Sequence, residues 1–142
     1  MTPGTFIERH EGRTLTAKPD VGNTVVIGVG RNLMRKGISM AEAELLLAND
    51  VSDCWAVLTK MFGAAVSSYG EPRQAALLDM IFELGAAGFA EFTQMVAAIR
   101  AGDWAVASAC ALDSAWAKQV PARAQEDAAI LETGEWPAWA KL

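Results

Sequence analysis

The pattern of apolar and polar positions changes character near residue 38. Before that point the apolar residues form short β-branched runs, whereas from Gly37 onward they recur at the i, i+3 and i+4 spacing of amphipathic helices. The runs at 14–17 and 24–29 predict two strands, and the Asp, Gly and Asn residues of segment 20–23 are typical of a turn. We therefore expect a β-hairpin followed by a helical region.

A short helix is predicted ahead of the hairpin. Pro3 suits the first turn of a helix, and Gly12 is placed to end that helix directly after Glu11. Pro19 cannot donate a backbone hydrogen bond, so the first strand is expected at an edge. Residues 1–38 are therefore expected to form a small N-terminal lobe.

A long helix is predicted to follow this lobe. Ser39 and Glu42 have the spacing of a capping box, and the apolar pattern after them continues to about Phe62. This gives a fold of α+β class within one domain, 1–142, in which a connecting helix at 39–62 joins the hairpin lobe to a helical lobe at 63–142.

The helical lobe is punctuated by proline and glycine. Pro72 is expected to open a helix, and Gly85 and Gly88 predict a break in it. Trp104, Trp136 and Trp139 are interpreted as core residues. Further helices are predicted at 92–100, 104–112, 114–118 and 121–132.

Composition excludes several classes of protein. The formal net charge is −5 and no basic block is present, so nucleic-acid binding is not expected. No apolar run approaches the ~20 residues of a membrane span, and Met1 is not followed by a signal-peptide pattern, so we expect a cytoplasmic, soluble monomer. Cys54 and Cys110 are interpreted as buried free thiols, with a disulfide as the alternative. With His10 as the single histidine, neither a zinc site nor a cofactor is expected.

Two acidic residues suggest chemistry. Glu11 lies at the end of the predicted first helix, and Asp20 follows on the adjacent hairpin. Two carboxyl groups facing each other across a cleft are what glycosidic cleavage requires, because one donates a proton and the other serves the water or the sugar cation. Taken singly, Glu11 is equally an ordinary charge at a helix end and Asp20 an ordinary turn former.

An ordered set of motifs decides between these interpretations, and it extends over nearly the whole chain. The motifs are His10-Glu11-Gly12, Asp20, Ile27 to Leu33, Arg73 to Phe82, Gly85, Phe92-Thr93, Gly102 to Trp104, Ser114 to Trp116, Pro121 to Ala124 and Thr133 to Trp136. In this order and spacing they resemble the phage lysozymes, or endolysins, of the T-even bacteriophage type.

The resemblance implies a two-lobed lysozyme-like muramidase that hydrolyses the β-1,4 bond between N-acetylmuramic acid and N-acetylglucosamine in bacterial peptidoglycan. Glu11 would be the general acid, and Asp20 would stabilise charge at the anomeric carbon or direct water, with inversion favoured. Arg123 matches the family arginine that pairs with the catalytic glutamate, although alone it could be a solvated helix charge. Phe82 would line the cleft, and Gly30 would let the backbone approach the sugar.

Several positions depart from the family pattern. Val26 stands where the family usually has a water-holding threonine, and a valine cannot hydrogen-bond. Glu83 replaces a neutral amide, so it would either repel Glu11 or pair with a nearby cation. Substrate contact at Asn32 is expected only weakly, since the T-even residue types are not kept there. They are also not kept at Met95 and Cys110.

Two rival functions remain. A wall-binding or structural lysozyme-like protein with weakened chemistry would explain Val26 and the negative charge. A helical protein-interaction module would need an exposed apolar face. For the enzyme, the resemblance implies accumulation in the host bacterial cytoplasm and action on the periplasmic wall once the membrane is permeabilised.

Overall fold

The computed structural model describes residues 1–141 and divides the chain into two compact units. The first unit is Met1–Leu46, and the second begins at Leu47. The small sheet lies in the first unit and most of the helices lie in the second, as the predicted α+β class requires. The three-part division at residues 38 and 62 stays a prediction.

The first unit begins with the predicted helix. Thr2 caps α1, Pro3–Glu11, by accepting a hydrogen bond from the backbone N–H of Thr5, and proline occupies the first turn. Gly12 ends the helix with φ 73°, a conformation in which a side chain would be strained. The carboxylate of Glu11 is therefore presented at the last position of α1.

A three-stranded antiparallel sheet follows, in the order β1-β2-β3. The first strand is at an edge, as Pro19 predicts, and it pairs with the second from Asp20 opposite Thr24 to Thr14 opposite Gly28. The third strand and the four-residue helix after it were not predicted, because neither is long enough to show a period. The elements are β1 (Thr14–Asp20), β2 (Thr24–Gly28), β3 (Arg31–Asn32) and α2 (Leu33–Lys36).

The long helix α3, Met40–Phe62, matches the prediction. Its capping box is present, because the Ser39 hydroxyl accepts from the N–H of Glu42 at 3.3 Å while the Glu42 carboxylate accepts from the N–H of Ser39 at 2.7 Å. The boundary between the two units falls inside this helix, between Leu46 and Leu47. No helix within residues 1–141 is long and apolar enough to cross a membrane.

The second unit consists of helices and short 3-10 turns. Proline opens α4 as predicted, and Gly85 interrupts it with φ 70° and ψ 170°, whereas Gly88 stays helical. The elements after α3 are a 3-10 turn (Gly63–Ser68), α4 (Glu71–Ala90), α5 (Thr93–Ala101), α6 (Trp104–Leu112), α7 (Ala115–Gln119), α8 (Pro121–Thr133) and a 3-10 turn (Ala138–Ala140).

The core of the second unit forms where α8 packs against α4 and α6. Alanines make this close approach possible, since Ala107, Ala111 and Ala124 are completely buried. This packing brings the polar edge of α8 to the polar edge of α4. The largest fully buried side chains are Leu58, Leu77, Met80, Phe89, Met95, Ile99 and Leu131.

The core prediction for the tryptophans is wrong in two cases. Trp104 packs against the core, but Trp136 and Trp139 are 38% and 70% exposed. Both lie beyond Gly134, where α8 ends, so no helix carries them into the core. The indole N–H of Trp139 donates to a surface carboxylate of Glu126 at 2.7 Å instead.

The cysteines are free, and they differ in burial. Cys54 is buried as predicted, and desolvation, followed by the nearby Asp50 and Asp53, raises the pKa of its thiol. Cys110 is only half-buried, so its predicted burial is wrong. It lines a surface groove, described below.

Candidate active site

The two candidate carboxylates in the first unit lie at the ends of adjacent elements. Glu11 ends α1, and Asp20 ends β1 beside the turn that leads to Thr24. Glu11 lies against Gly30, two residues beyond Gly28, and the step from Gly28 to Thr24 along β2 is about 13 Å at ~3.3 Å per residue. The Glu11 carboxylate therefore lies beyond one end of β2, and Asp20 lies opposite the other end.

The position of the Glu11 side chain depends on Gly30. A Cβ built on Gly30 would lie 2.8 Å from Oε2 of Glu11, closer than real Cβ contacts allow. Gly30 also has φ 64°, a conformation that other residues adopt only with strain. Gly30 was predicted to let the backbone approach the sugar. In the structure the same glycine also makes room for the Glu11 carboxylate.

Val26 occupies the middle of the sheet. It pairs with Lys18 on one side and with Asn32 on the other, and it is half-buried. Thr24 lies two residues earlier on the same strand face, but its hydroxyl donates to the carbonyl oxygen of Val21 at 3.3 Å. The hydroxyl proton of Thr24 is used within the turn, so this hydroxyl can only accept a further hydrogen bond.

Asn32 has a local structural role. Its side-chain oxygen accepts from the backbone N–H of Arg35 at 2.9 Å and so caps α2. The weakly expected contact of Asn32 with substrate stays a prediction. If Asn32 binds a sugar, its amide nitrogen can donate a hydrogen bond, while its oxygen already accepts one from Arg35.

In the second unit, Arg123 is held by two carboxylates of α4. Its Nε and Nη2 donate to the two oxygens of Asp79 at 2.6 and 2.7 Å, and Nη1 lies 3.0 Å from Oε2 of Glu83. The hydrogen bonds that Arg123 donates to Asp79 raise the pKa of its guanidinium further above its ordinary value. Arg123 is therefore an oriented cation and not a freely solvated helix charge.

Glu83 forms the ion pair that one of its two interpretations predicts, while its repulsion of Glu11 stays a prediction. The side chain pairs with a cation, Arg123, and is 26% exposed. Asp79, the second partner of this arginine, was missed by the sequence analysis. The signal for it was available, since Asp79 and Glu83 stand four residues apart on one face of α4.

Phe82 lies on the same helix and is 47% exposed, a large exposure for a phenylalanine. It lines a shallow pocket of about 280 Å³ in the second unit together with Ile81, Gly85 and residues of α3. An exposed aromatic face beside a helix break is suited to stacking on a sugar ring. Contacts of Glu11 with Arg123 and Glu83 would connect the two units, and they stay predictions. The cleft lined by Phe82 also stays a prediction.

A groove that the sequence analysis did not anticipate runs along α5, α6 and α7. It has a volume of about 710 Å³, and its wall includes Phe92, Met95, Cys110 and Trp116. The indole N–H of Trp116 is buried and has no hydrogen-bond partner. Within residues 1–141, no cluster of three or more His, Cys, Asp or Glu side chains is arranged to hold a metal ion.

Comparison with known proteins identifies the family. The chain is 27% identical to the pre-baseplate central spike protein Gp5 of Enterobacteria phage T4 over 161 aligned positions, which cover 94% of this chain. The chain spans only 28% of the length of that relative. The family model described as phage lysozyme matches residues 8–129, a range that includes Glu11, Asp20 and Arg123. The chain belongs to the phage lysozyme family.

Proposed function

We propose that this protein is a muramidase that cleaves the β-1,4 bond between N-acetylmuramic acid and N-acetylglucosamine in peptidoglycan. Membership of the phage lysozyme family supports hydrolysis of peptidoglycan. The observation that favours catalysis over binding alone is the close fit between the Glu11 carboxylate and Gly30. A glycine at a positive φ that other residues adopt only with strain, placed where a side chain would displace an acid, is expected of a working site.

In the proposed mechanism Glu11 donates a proton to the glycosidic oxygen as the bond breaks. Asp20 stabilises the positive charge that develops at the anomeric carbon and orients the attacking water. Inversion at the anomeric carbon, which the resemblance to the T-even lysozymes favours, is part of this proposal. No cofactor is needed for these steps.

Binding of the wall polymer is proposed to use both apolar and polar surfaces. Phe82 offers an exposed ring for stacking, and the amide of Asn32 offers a donor. The groove beside Trp116, whose wall includes Phe92, Met95 and Cys110, offers a further surface for the N-acetyl groups and peptide stems of the polymer. Arg123, held by Asp79 and Glu83, is proposed as the cation that supports Glu11.

The proposal is tested by the loss of turbidity of outer-membrane-permeabilised Gram-negative cells. The Glu11→Gln variant keeps the size of the side chain but has no acidic proton to give, so we expect lysis to fall by at least ~10²-fold. Glu8→Gln is the matched control, because Glu8 lies on the same helix and forms only an exposed pair with Arg13 at 2.7 Å. It should lyse cells like the parent. Full activity of Glu11→Gln would remove Glu11 as the acid.

A second candidate function is a wall-binding or structural protein with weakened chemistry. Val26 favours it, and so does the similarity to Gp5, which is a pre-baseplate central spike protein. Purified sacculi separate the two candidates. The enzyme releases soluble muropeptides, whereas a binding protein sediments with the sacculi and releases none.

The proposed setting is the host cytoplasm, with access to the wall after the inner membrane is permeabilised. A monomer is proposed to be sufficient. Producing the protein in cells and then permeabilising their membrane tests the setting, since lysis should start only at that point. Lysis without permeabilisation would contradict it. Light scattering on the purified protein gives the mass, for which we expect the 15.1 kDa of one chain.

A further inference from the structure

Asp127 is a buried acidic side chain to which no role has been assigned. It lies on α8 and is only 5% exposed. Its Oδ2 atom is buried and has no hydrogen-bond partner. An ionised carboxylate in this position would be costly, because buried charges are stable only when they are paired and hydrogen-bonded.

The neighbour of this carboxyl group is Asp79 on α4. The Asp79 side chain is within hydrogen-bonding range of Asp127, and both of its oxygens already accept from Arg123 at 2.6 and 2.7 Å. Two ionised carboxylates cannot hydrogen-bond to each other, so Oδ2 of Asp127 stays without a partner as long as neither group holds a proton. One proton turns the contact into a hydrogen bond and removes the like-charge repulsion.

The surroundings favour a proton on Asp127. Burial, and after it the charge of Asp79, raise the pKa of Asp127 to about 8, although Arg123 acts in the opposite direction. Glu126, the preceding residue, adds to the increase. Two other helices pack against α8. Helix α6 has no acidic or basic residue, and in the described part of the chain no charged residue of α7 lines the cavity next to Asp127.

A cavity of about 360 Å³ gives this cluster limited access to solvent. Asp79, Arg123 and Asp127 line it together with Trp136 and Trp139. The cavity allows the proton on Asp127 to exchange with water, while the indole rings keep the surroundings largely apolar. Such a site permits titration of Asp127 without exposing it.

We propose that Asp127 is a protonated positioning residue, whose carboxylic acid donates a hydrogen bond to Asp79 and so holds Asp79 in the orientation that binds Arg123. The part that concerns activity rests on the proposed function, in which Arg123 supports Glu11. The proton-sharing pair itself does not depend on that function. Asp127 on α8 holds the Asp79 side chain on α4, and Asp79 in turn holds the guanidinium of Arg123 on α8. In this proposal Asp127 orients Arg123 without contacting the substrate.

The proposal has a defined pH dependence. The folded state keeps the proton of Asp127 up to about pH 8, whereas an unfolded aspartic acid loses it near 3.8. Between these values the folded state binds one more proton than the unfolded state, so this group stabilises the fold most at low pH and less as the pH rises. Its contribution to the folding equilibrium constant falls up to tenfold per pH unit in this window and is constant above it.

The first experiment compares urea unfolding of the full chain between pH 5 and pH 9 for the parent, Asp127→Asn and Glu126→Gln. Asparagine donates to Asp79 at every pH, so the folding constant of Asp127→Asn relative to the parent should increase steadily toward pH 8. Glu126→Gln is the matched control next to it and should follow the parent. Equal pH dependence in Asp127→Asn and the parent would overturn the proposal.

Carbon-13 NMR titration of the side-chain carboxyl groups in the parent decides the question even if Asp127→Asn does not fold. We expect one aspartate to titrate near neutral pH, and titration of all aspartates near 4 would overturn the proposal. Lysis rates then test the positioning role. At pH 9 about a tenth of the parent molecules keep the proton, so the parent should lose activity relative to Asp127→Asn.

The two proposals fail in different ways. If the parent does not lyse cells at any pH, the proposed function is wrong, while NMR and urea unfolding still decide whether the proton is shared. If Asp127 titrates near neutral pH but the pH profiles of lysis coincide for the parent and Asp127→Asn, the pair is structural and its positioning role is overturned.

Discussion

At the scale of single residues, the missing Cβ of Gly30 decides where the Glu11 carboxylate lies. The backbone at Gly30 has φ 64°, and an added Cβ would be 2.8 Å from Oε2 of Glu11. The atom in its way is the far end of a flexible side chain, so Glu11 can move aside at small cost. A substitution here should therefore disturb the position of the acid more than the stability of the fold.

Gly30→Ala and Gly28→Ala form a matched pair that tests this. Both glycines have positive φ, so each alanine should lower the free energy of unfolding by about 1–2 kcal/mol. Only Gly30→Ala displaces Glu11, because nothing lies within 4 Å of a Cβ at Gly28. We expect similar urea midpoints for the two variants and an at least ~10-fold lower lysis rate for Gly30→Ala. Equal rates would mean that the Glu11 carboxylate does not need its place against Gly30.

Val26→Thr tests the departure from the family at the centre of the sheet. Threonine has nearly the shape and the β preference of valine, and its hydroxyl can hold a water. If the position of the attacking water limits the reaction, the single-turnover rate on sacculi should increase, while the urea midpoint changes little. A rate that is unchanged or lower would show that the site has adapted to valine. Val25→Thr, on the opposite face of β2, is the control.

The sequence identified the chemistry-bearing residues but not all their neighbours. Glu11, Asp20 and Arg123 stand out because they occur within punctuated motifs. The contact of Arg123 with Asp79 depends on how α8 packs against α4, and residues 44 positions apart leave no local signal of such a contact. The same packing buries Asp127, which the sequence alone presents as one more charge on a helix.

At the scale of elements, local signals predicted the elements that are long enough to show a period. The capping box at Ser39 and the extent of α3 were both predictable, because the cap and the apolar period agree. β3 has two residues and α2 has four, so neither shows a period. The positions of Trp136 and Trp139 were not predictable, since beyond Gly134 no repeating element sets their direction.

Ser39→Ala tests the contribution of the cap to α3. Ser39 and Glu42 exchange hydrogen bonds, and Arg31 pairs with Glu42 at 2.6 Å. Loss of the hydroxyl should lower the free energy of unfolding by about 1 kcal/mol. Ser67→Ala is the control, since that hydroxyl donates only to the carbonyl of Ala64. Equal urea midpoints for the two variants would show that the cap adds nothing to stability.

The same cap predicts a response to acid. The hydrogen bonds from Ser39, the backbone one first, lower the pKa of Glu42 below its ordinary 4.5, and the charge of Arg31 adds to this. A carboxyl group whose pKa is lowered by folding stabilises the protein above the unfolded pKa, and this contribution disappears as the pH falls through the folded pKa. The difference between Ser39→Ala and the parent should therefore be smaller at pH 3 than at pH 7.

At the scale of the whole molecule, the net charge of the protein has the same sign as that of its proposed substrate. The net charge is −5, and the proposed substrate is an anionic wall polymer. Long-range attraction therefore cannot bring the protein to the wall, and recognition must rely on contacts such as those of Phe82 and the groove beside Trp116. Family membership indicates the substrate class. The net charge indicates how the encounter between protein and wall depends on salt concentration.

The lysis rate is therefore expected to rise with moderate salt. At ~10 mM salt charges interact over about 30 Å, whereas at ~100 mM the range is about 10 Å, so repulsion between protein and wall is screened before short contacts are weakened. We expect a several-fold increase in the initial rate on permeabilised cells over this range, with an unchanged urea midpoint for the protein. A soluble oligomer of alternating N-acetylmuramic acid and N-acetylglucosamine with amidated carboxyl groups is the matched control, because it carries the same bond without the charge and its hydrolysis should not respond to salt. A rate on cells that falls steadily with salt would mean that a local basic surface, and not the net charge, governs the encounter.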